Sequence, residues 1–141
     1  MDVKHYVTLA RALDQSGDHR GAATAYQRAG ALAADAQDLP VAAGCAQAEA
    51  GAWWSAAEVL PAHEALLREL ALRRRLSDPR GLAEVVLQLA LFPLTPPLER
   101  KDLFREGQSL ITANDYVDLR ERLDMVRQLF RSAGLDHTLD D

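Results

Sequence analysis

The chain has 141 residues, of which 48% are hydrophobic and 26% are charged, and its formal net charge is −5. The length suits one globular domain with a sizeable core, and the negative charge argues against nucleic acid or an anionic membrane as a partner. Cys45 is the only cysteine, no stretch approaches a membrane span, and the opening residues MDVKHYVTLA lack the apolar run of a signal peptide, so we exclude an internal disulfide and expect a cytoplasmic protein.

The first two predicted helices flank a turn at Gly17 and Asp18. The first helix has one apolar face, because its apolar residues recur at steps of three and four: Tyr6, Leu9, Ala10 and Leu13. Gly17 accepts the left-handed backbone that ends a helix. The carboxylate of Asp18 can cap the next helix, which we expect to run to about Ala34.

Glycine and proline punctuate the next two predicted helices. We expect a third helix over residues 38–50, ended by Gly51, and a fourth that begins near Trp53 and continues to Leu76. Pro61 falls inside the fourth helix, where it is expected to kink or split it.

The last three predicted helices begin after the segment SDPRG. Asp78 is a natural N-cap and Pro79 fits the first helical position. We expect helices over residues 80–92, 98–112 and 116–132, with Asn114 taking the left-handed conformation of a turn and Gly134 ending the last helix. No strand is predicted, so we expect a single all-α domain over residues 1–133 and a frayed acidic tail over residues 134–141.

A 34-residue spacing relates the first half of the chain to itself. It links four pairs of positions: Ala10 and Gly44, Gly17 and Gly51, Ala22 and Ala56, Tyr26 and Leu60. A helix-turn-helix unit of about this length resembles the tetratricopeptide repeat (TPR) family. The first unit carries the pattern of small and large apolar positions on Tyr6, Leu9, Ala10 and Leu13, then on Ala22, Tyr26 and Ala29. The second unit, residues 37–70, departs from that pattern at Gln47 and His63.

The resemblance implies a right-handed superhelical array of antiparallel helix hairpins. Two arrangements of the second half are open. The helix over residues 80–92 is an insertion before a third repeat, or residues 80–112 form an irregular third hairpin and residues 116–132 a closing helix. We prefer the second, because antiparallel alternation then holds throughout. The array would have about three hairpins and a C-terminal capping helix with a polar outer face.

No motif of catalysis or metal binding is visible. The four histidines lack metal-ligand spacing to one another or to Cys45: His5, His19, His63 and His137. Because the sequence also lacks a phosphate loop and the G-x-S-x-G and H-E-x-x-H motifs, we expect no enzyme, no metal and no cofactor. An enzyme with dispersed catalytic residues is the remaining alternative.

The resemblance also implies a function, because TPR arrays typically bind a peptide or a helix in a concave groove lined by their first helices. Helical spacing puts seven residues on that face: Lys4, Val7, Arg11, Asp14, Asp38, Val41 and Cys45. Val7, Val41 and Cys45 stand where family members that clamp a C-terminal carboxylate use lysine or asparagine, which argues against a chaperone-type role. For Cys45, burial as a small hydrophobe and a place in the groove are both open.

Two further segments suggest a second interface. Trp53 and Trp54 are adjacent, so they cannot both face one core position. One of them is expected to pack between repeats, and the other to be either half-covered by the next helix or an exposed anchor for a partner. The cluster Arg73, Arg74 and Arg75 is either a solvated helix end or a contact for an acidic partner. We therefore expect an adaptor that binds another protein. The alternative is a self-associating helper domain of a larger bacterial regulator or complex, the arginine-rich basic residues being typical of a GC-rich bacterial genome.

Overall fold

The structure, a computed structural model, describes residues 1–134. Within them the backbone forms seven α-helices and no strand, which confirms the all-α prediction. The helices are α1 (Val3–Gln15), α2 (His19–Asp35), α3 (Leu39–Ser55), α4 (Val59–Arg75), α5 (Pro79–Leu91), α6 (Pro97–Asn114) and α7 (Val117–Ser132). The chain divides into two compact units, Met1–Ser77 and Asp78–Asp141. One domain over residues 1–133 stays a prediction, and the tail predicted to fray lies outside the described residues beyond Gly134.

In the first unit, α1 to α4 follow one another through short turns. The middle residue of each turn has a positive φ: Gly17 at 89°, Gln37 at 62° and Ala57 at 60°. These three residues are evenly spaced along the sequence, and we call the interval between them the turn spacing. Asp18 and Asp38 cap the helices that follow, accepting from the backbone N–H of Gly21 and Val41. Since such short turns reverse the chain, consecutive helices pack against each other.

The turn spacing corrects three predictions. The pairing of Gly17 with Gly51 is wrong, because Gly17 lies in a turn whereas Gly51 lies inside α3, which continues to Ser55. The fourth helix does not begin near Trp53, which belongs to the last turn of α3. Pro61 falls in the first turn of α4, where its missing N–H has no helical partner to lose, so it neither kinks nor splits the helix.

Alanine fills the helix interfaces of the first unit. Ala22, Ala42 and Ala62, which are separated by the turn spacing, are at most 2% exposed. The methyl side chains let helix axes approach closely. Ala22 and Ala29, two of the small positions of the predicted repeat, are both fully buried, and Tyr26 packs against the cluster that contains Ala22.

In the second unit, α5 contacts both α6 and α7. Asp78 caps α5 by accepting from the N–H of Gly81 at 3.0 Å, and Pro79 is its first residue, as predicted. The aromatic rings of Phe104 and Phe130, 5.9 Å apart, join α6 to α7 in the core.

Two predictions for the second unit are corrected. Asp115, not Asn114, takes the left-handed conformation, with φ 53°, because Asn114 still belongs to α6 and donates to the carbonyl of Leu110. The outer face of α7 is not uniformly polar, since Met125 and Leu129 are about half exposed there. Gly134 does take a positive φ just after α7, as predicted.

Candidate protein-binding groove

A groove of about 450 Å³ crosses the first unit between α2 and α4, with α3 as its floor. Its lining comes from the second half of α2, the beginning and middle of α3 and the second half of α4. Antiparallel neighbouring helices produce this alternation. The lining residues are Gln27, Gly30, Ala31, Ala34, Ala42, Ala46, Glu49, Arg68, Ala71 and Leu72.

The walls of the groove are built mainly from methyl groups. Ala31 and Ala34 on α2 and Ala71 on α4 are exposed to solvent, although they lie on helix faces that turn towards one another. Gly30 brings α2 close to α3, because a Cβ at this position would lie 3.3 Å from the Cβ of Cys45. The groove therefore presents apolar surface with little side-chain bulk.

One ion pair lies in the floor of the groove. The Glu49 side chain, 1% exposed, accepts hydrogen bonds from Arg68 Nη1 at 2.7 Å and Arg68 Nη2 at 2.8 Å, and from Trp53 Nε1 at 3.0 Å. The hydrogen bond to Glu49 raises the pKa of the Arg68 guanidinium. A buried carboxylate needs such partners, because isolation from water would otherwise cost several kcal/mol.

A buried glutamate with a donor four residues later recurs one turn spacing further along the chain. Glu69 stands at the position equivalent to Glu49, is 2% exposed and accepts from Arg73 Nε at 3.1 Å. Arg73 follows Glu69 by four residues, just as Trp53 follows Glu49. The sequence interpretation did not identify Glu49, and it took Glu69 for a solvated acid paired with Glu64, which its burial shows to be wrong. The signal that could have found them is the turn spacing itself, which puts Ala29, Glu49 and Glu69 at equivalent buried positions.

The residues that the sequence predicted for a binding groove do not line the groove of the structure. None of Lys4, Val7, Arg11 and Asp14 on α1 lines this groove. Lys4 lies on a shallow surface beside His5 and Leu9, and Asp14 contacts His19 Nδ1 at 2.6 Å.

The predicted residues at the start of α3 differ from one another. Asp38 is the N-cap of α3, and Val41, 39% exposed, is next to the groove residue Ala42. Cys45 is only 5% exposed and faces Gly30, so its place as an exposed groove residue is wrong and its burial as a small hydrophobe is confirmed. Burial raises the pKa of the Cys45 thiol, helped by the negative charges of Asp38 and Glu49.

The residues of the second predicted interface also differ from one another in exposure. Trp53 is half-buried against Ala22 and Ala52, whereas Trp54 is 53% exposed, as the 100° step between neighbours requires. Arg73 is held by Glu69, whereas Arg74 and Arg75 are exposed at the end of α4.

Metal-binding clusters and membrane spans are both absent from the described part of the chain. No group of three or more His, Cys, Asp or Glu side chains in residues 1–134 has the geometry to hold a metal ion. No helix over the same residues is both long and apolar enough to cross a bilayer.

Comparisons with known proteins give no match. No protein-family model matches the chain, and neither the curated proteins nor the solved structures contain a significantly similar one. The resemblance to TPR proteins therefore stays an interpretation of the sequence.

Proposed function

We propose that the chain is a protein-interaction module whose first unit binds a helix of another protein in the groove between α2 and α4. The observation that carries this proposal is the groove itself, a concave and largely apolar surface whose one charged pair is already satisfied. Apolar grooves between helices are a recurring docking place for amphipathic helices.

The small residues of the walls favour a helix as the ligand. A bound helix packs most closely where the receiving surface lacks long side chains. Gly30, Ala31 and Ala34 provide such a surface on the α2 wall, and Ala71 provides a small gap on the α4 wall between the longer Arg68 and Leu72. The bulky apolar residues of the complex would then come from the ligand, at steps of three and four along its sequence.

Three finer expectations belong to the same proposal. The first unit is a TPR-like, right-handed superhelical stack, which the short turns and the contacts between consecutive helices support. The module works in the cytoplasm. It binds its partner without catalysing a reaction.

A displayed library of amphipathic helices tests the groove. Helices selected on the wild-type chain would be measured as labelled peptides by fluorescence anisotropy. We expect Ala31→Trp and Ala71→Trp, which fill the groove from opposite walls, to weaken binding by about tenfold or more, equivalent to about 1.4 kcal/mol.

Ala12→Trp is the matched control, because Ala12 is an exposed alanine on α1 away from the groove. If the selected helices bind all three tryptophan variants as tightly as the wild type, the binding site lies outside the groove. A library that yields no binder at any concentration would contradict the proposed function.

A further inference from the structure

The solvent-facing side of α4 carries apolar residues that the fold leaves uncovered. Leu60 is 59% exposed and Leu67 is 45% exposed, and the exposed Glu64 lies between them on the same stripe of the helix. Arg68 and Leu72 continue along the neighbouring stripe. We call these five residues the α4 ridge: Leu60, Glu64, Leu67, Arg68 and Leu72.

The α4 ridge is complementary to itself. Glu64 and Arg68 are placed symmetrically before and after Leu66 in the sequence, and so are Leu60 and Leu72. When two α4 helices run antiparallel about a two-fold axis at this position, each Glu64 lies opposite an Arg68 and each Leu60 opposite a Leu72. A two-fold interface requires such reciprocal pairs.

The charges in this arrangement alternate in sign. Each Arg68 has a Glu64 one helical turn away in its own chain, whose charge attracts it, and would gain the Glu64 of the second copy. The four charges then form a ring in which every neighbour is of opposite sign, so no like charges are brought together.

Arg68 is prepared for this second contact. Its two Nη groups donate to the buried Glu49, which fixes the guanidinium, while the side chain remains 46% exposed. An arginine has five N–H donors, so those not used by Glu49 are available to a second carboxylate. Because Glu49 already holds the Arg68 side chain in place, less conformational entropy is lost when a second carboxylate binds it.

We propose that the chain forms a homodimer through the α4 ridge, with the α4 helices of the two copies antiparallel. The proposal is argued from the solvent-facing side of α4 and does not rest on the proposed function. The two surfaces are not separate, however, because Arg68 and Leu72 of the α4 ridge also line the groove. A single pair of 17-residue helices buries less than a standard interface, so we expect a weak dimer with a Kd of about 10–100 μM.

Sedimentation velocity over a range of about 1 to 500 μM tests the proposal on the full chain. We expect the wild type to shift from monomer to dimer across this range. Leu67→Arg and Glu64→Arg should weaken the dimer by about tenfold or more, the first by inserting a charge near the two-fold axis and the second by facing Arg68 with a like charge. Leu9→Arg is the control, because Leu9 on α1 is 40% exposed, much like Leu67.

A pair of variants tests the register. Glu64→Arg alone, and the double variant Glu49→Gln with Arg68→Glu, should each remain monomeric because like charges meet. Mixed together, they should form a heterodimer, since each facing pair is then opposite in charge. Circular dichroism first establishes that every variant is folded.

A cross-link keeps the proposal testable if the double variant does not fold. Leu67→Cys in a Cys45→Ser background should give a disulfide-linked dimer under mild oxidation, whereas Leu9→Cys in that background should not. A wild-type chain that stays monomeric throughout the range overturns the proposal. So does a dimer that Leu67→Arg and Glu64→Arg leave unchanged.

Discussion

Arg68 of α4 and Glu49 of α3 form a two-pronged hydrogen-bonded pair across the floor of the groove, with both Nη groups donating at 2.7 and 2.8 Å. The two residues are 19 positions apart in the sequence. The pair ties α3 to α4 and keeps the carboxylate of Glu49 out of water without leaving it unpaired.

Removing one member of this pair should therefore cost more than removing both. We expect Arg68→Ala to lower the free energy of unfolding by about 2–3 kcal/mol, because Glu49 is left buried with one remaining partner, Trp53. The double variant Glu49→Gln with Arg68→Gln should lose less. Urea denaturation measures both, with Arg11→Ala as an exposed arginine control. An Arg68→Ala variant as stable as the control would show that water replaces the pair without cost.

The glycines inside helices should respond to alanine in opposite directions. Gly44 lies in α3 with no atom within 4 Å of the position of a Cβ, so Gly44→Ala should stabilise the chain by about 0.5–1 kcal/mol through helix propensity. A Cβ at Gly107 would lie 2.9 Å from Cδ2 of the fully buried Leu87, so Gly107→Ala should destabilise it by about 1–3 kcal/mol. Thermal melts measure the change in melting temperature of each variant. A Gly107→Ala variant that is stabilised as much as Gly44→Ala would contradict the close packing around Gly107.

The turns at Gln37 and Ala57 should prefer glycine. Both residues have φ near +60°, a conformation that costs an L-residue about 1–2 kcal/mol. Gln37→Gly and Ala57→Gly should each stabilise the chain by about 0.5–1 kcal/mol, after the added freedom of the unfolded chain is subtracted. Ala36→Gly is the control, because Ala36 has φ −83° and gains nothing from glycine. Loss of stability in both turn variants would argue against left-handed turns.

The thiol of Cys45 should be protected from reagents and from ionisation. We expect it to react with a disulfide reagent slower by about two orders of magnitude in the folded chain than in urea, and slower than an Ala12→Cys thiol in a Cys45→Ser background. Burial raises the pKa of the Cys45 thiol above its ordinary 9.0 in the folded chain. The contribution of the neutral thiol to the free energy of unfolding is therefore complete below pH 9.0, and it is lost as the pH rises through the pKa of the folded chain. The stability difference between wild type and Cys45→Ala should shrink above about pH 9. Fast labelling of the folded chain would contradict the burial of Cys45.

The helices of this chain could be predicted from local signals, because caps and breakers act over a few residues. Asp18, Asp78 and Pro79 marked helix starts that the structure confirms. Gly51 and Pro61 misled the prediction because their effect depends on position within a helix. Gly51 is tolerated on an exposed face of α3, and Pro61 lies in the first turn of α4.

The groove could not be predicted in the same way. Its residues come from three helices, and which faces meet depends on the spacing of the turns. The period that pairs Gly17 with Gly51 directs attention to α1, whereas the turn spacing brings α2, α3 and α4 together. Glu49 was unremarkable in sequence because the partner that makes its burial possible, Arg68, belongs to the next helix.

The regular distance between the turns of the first unit also governs how a chain of this kind can grow. Inserting one helix with its turn would reverse the direction of the first-unit helices that follow it. A helix that now runs up would then run down, and its residues would face the opposite ends of their neighbours. Inserting two copies restores the direction. An insertion that keeps the downstream chain running in its original direction therefore adds helices in pairs, although the turn spacing corresponds to a single helix and its turn.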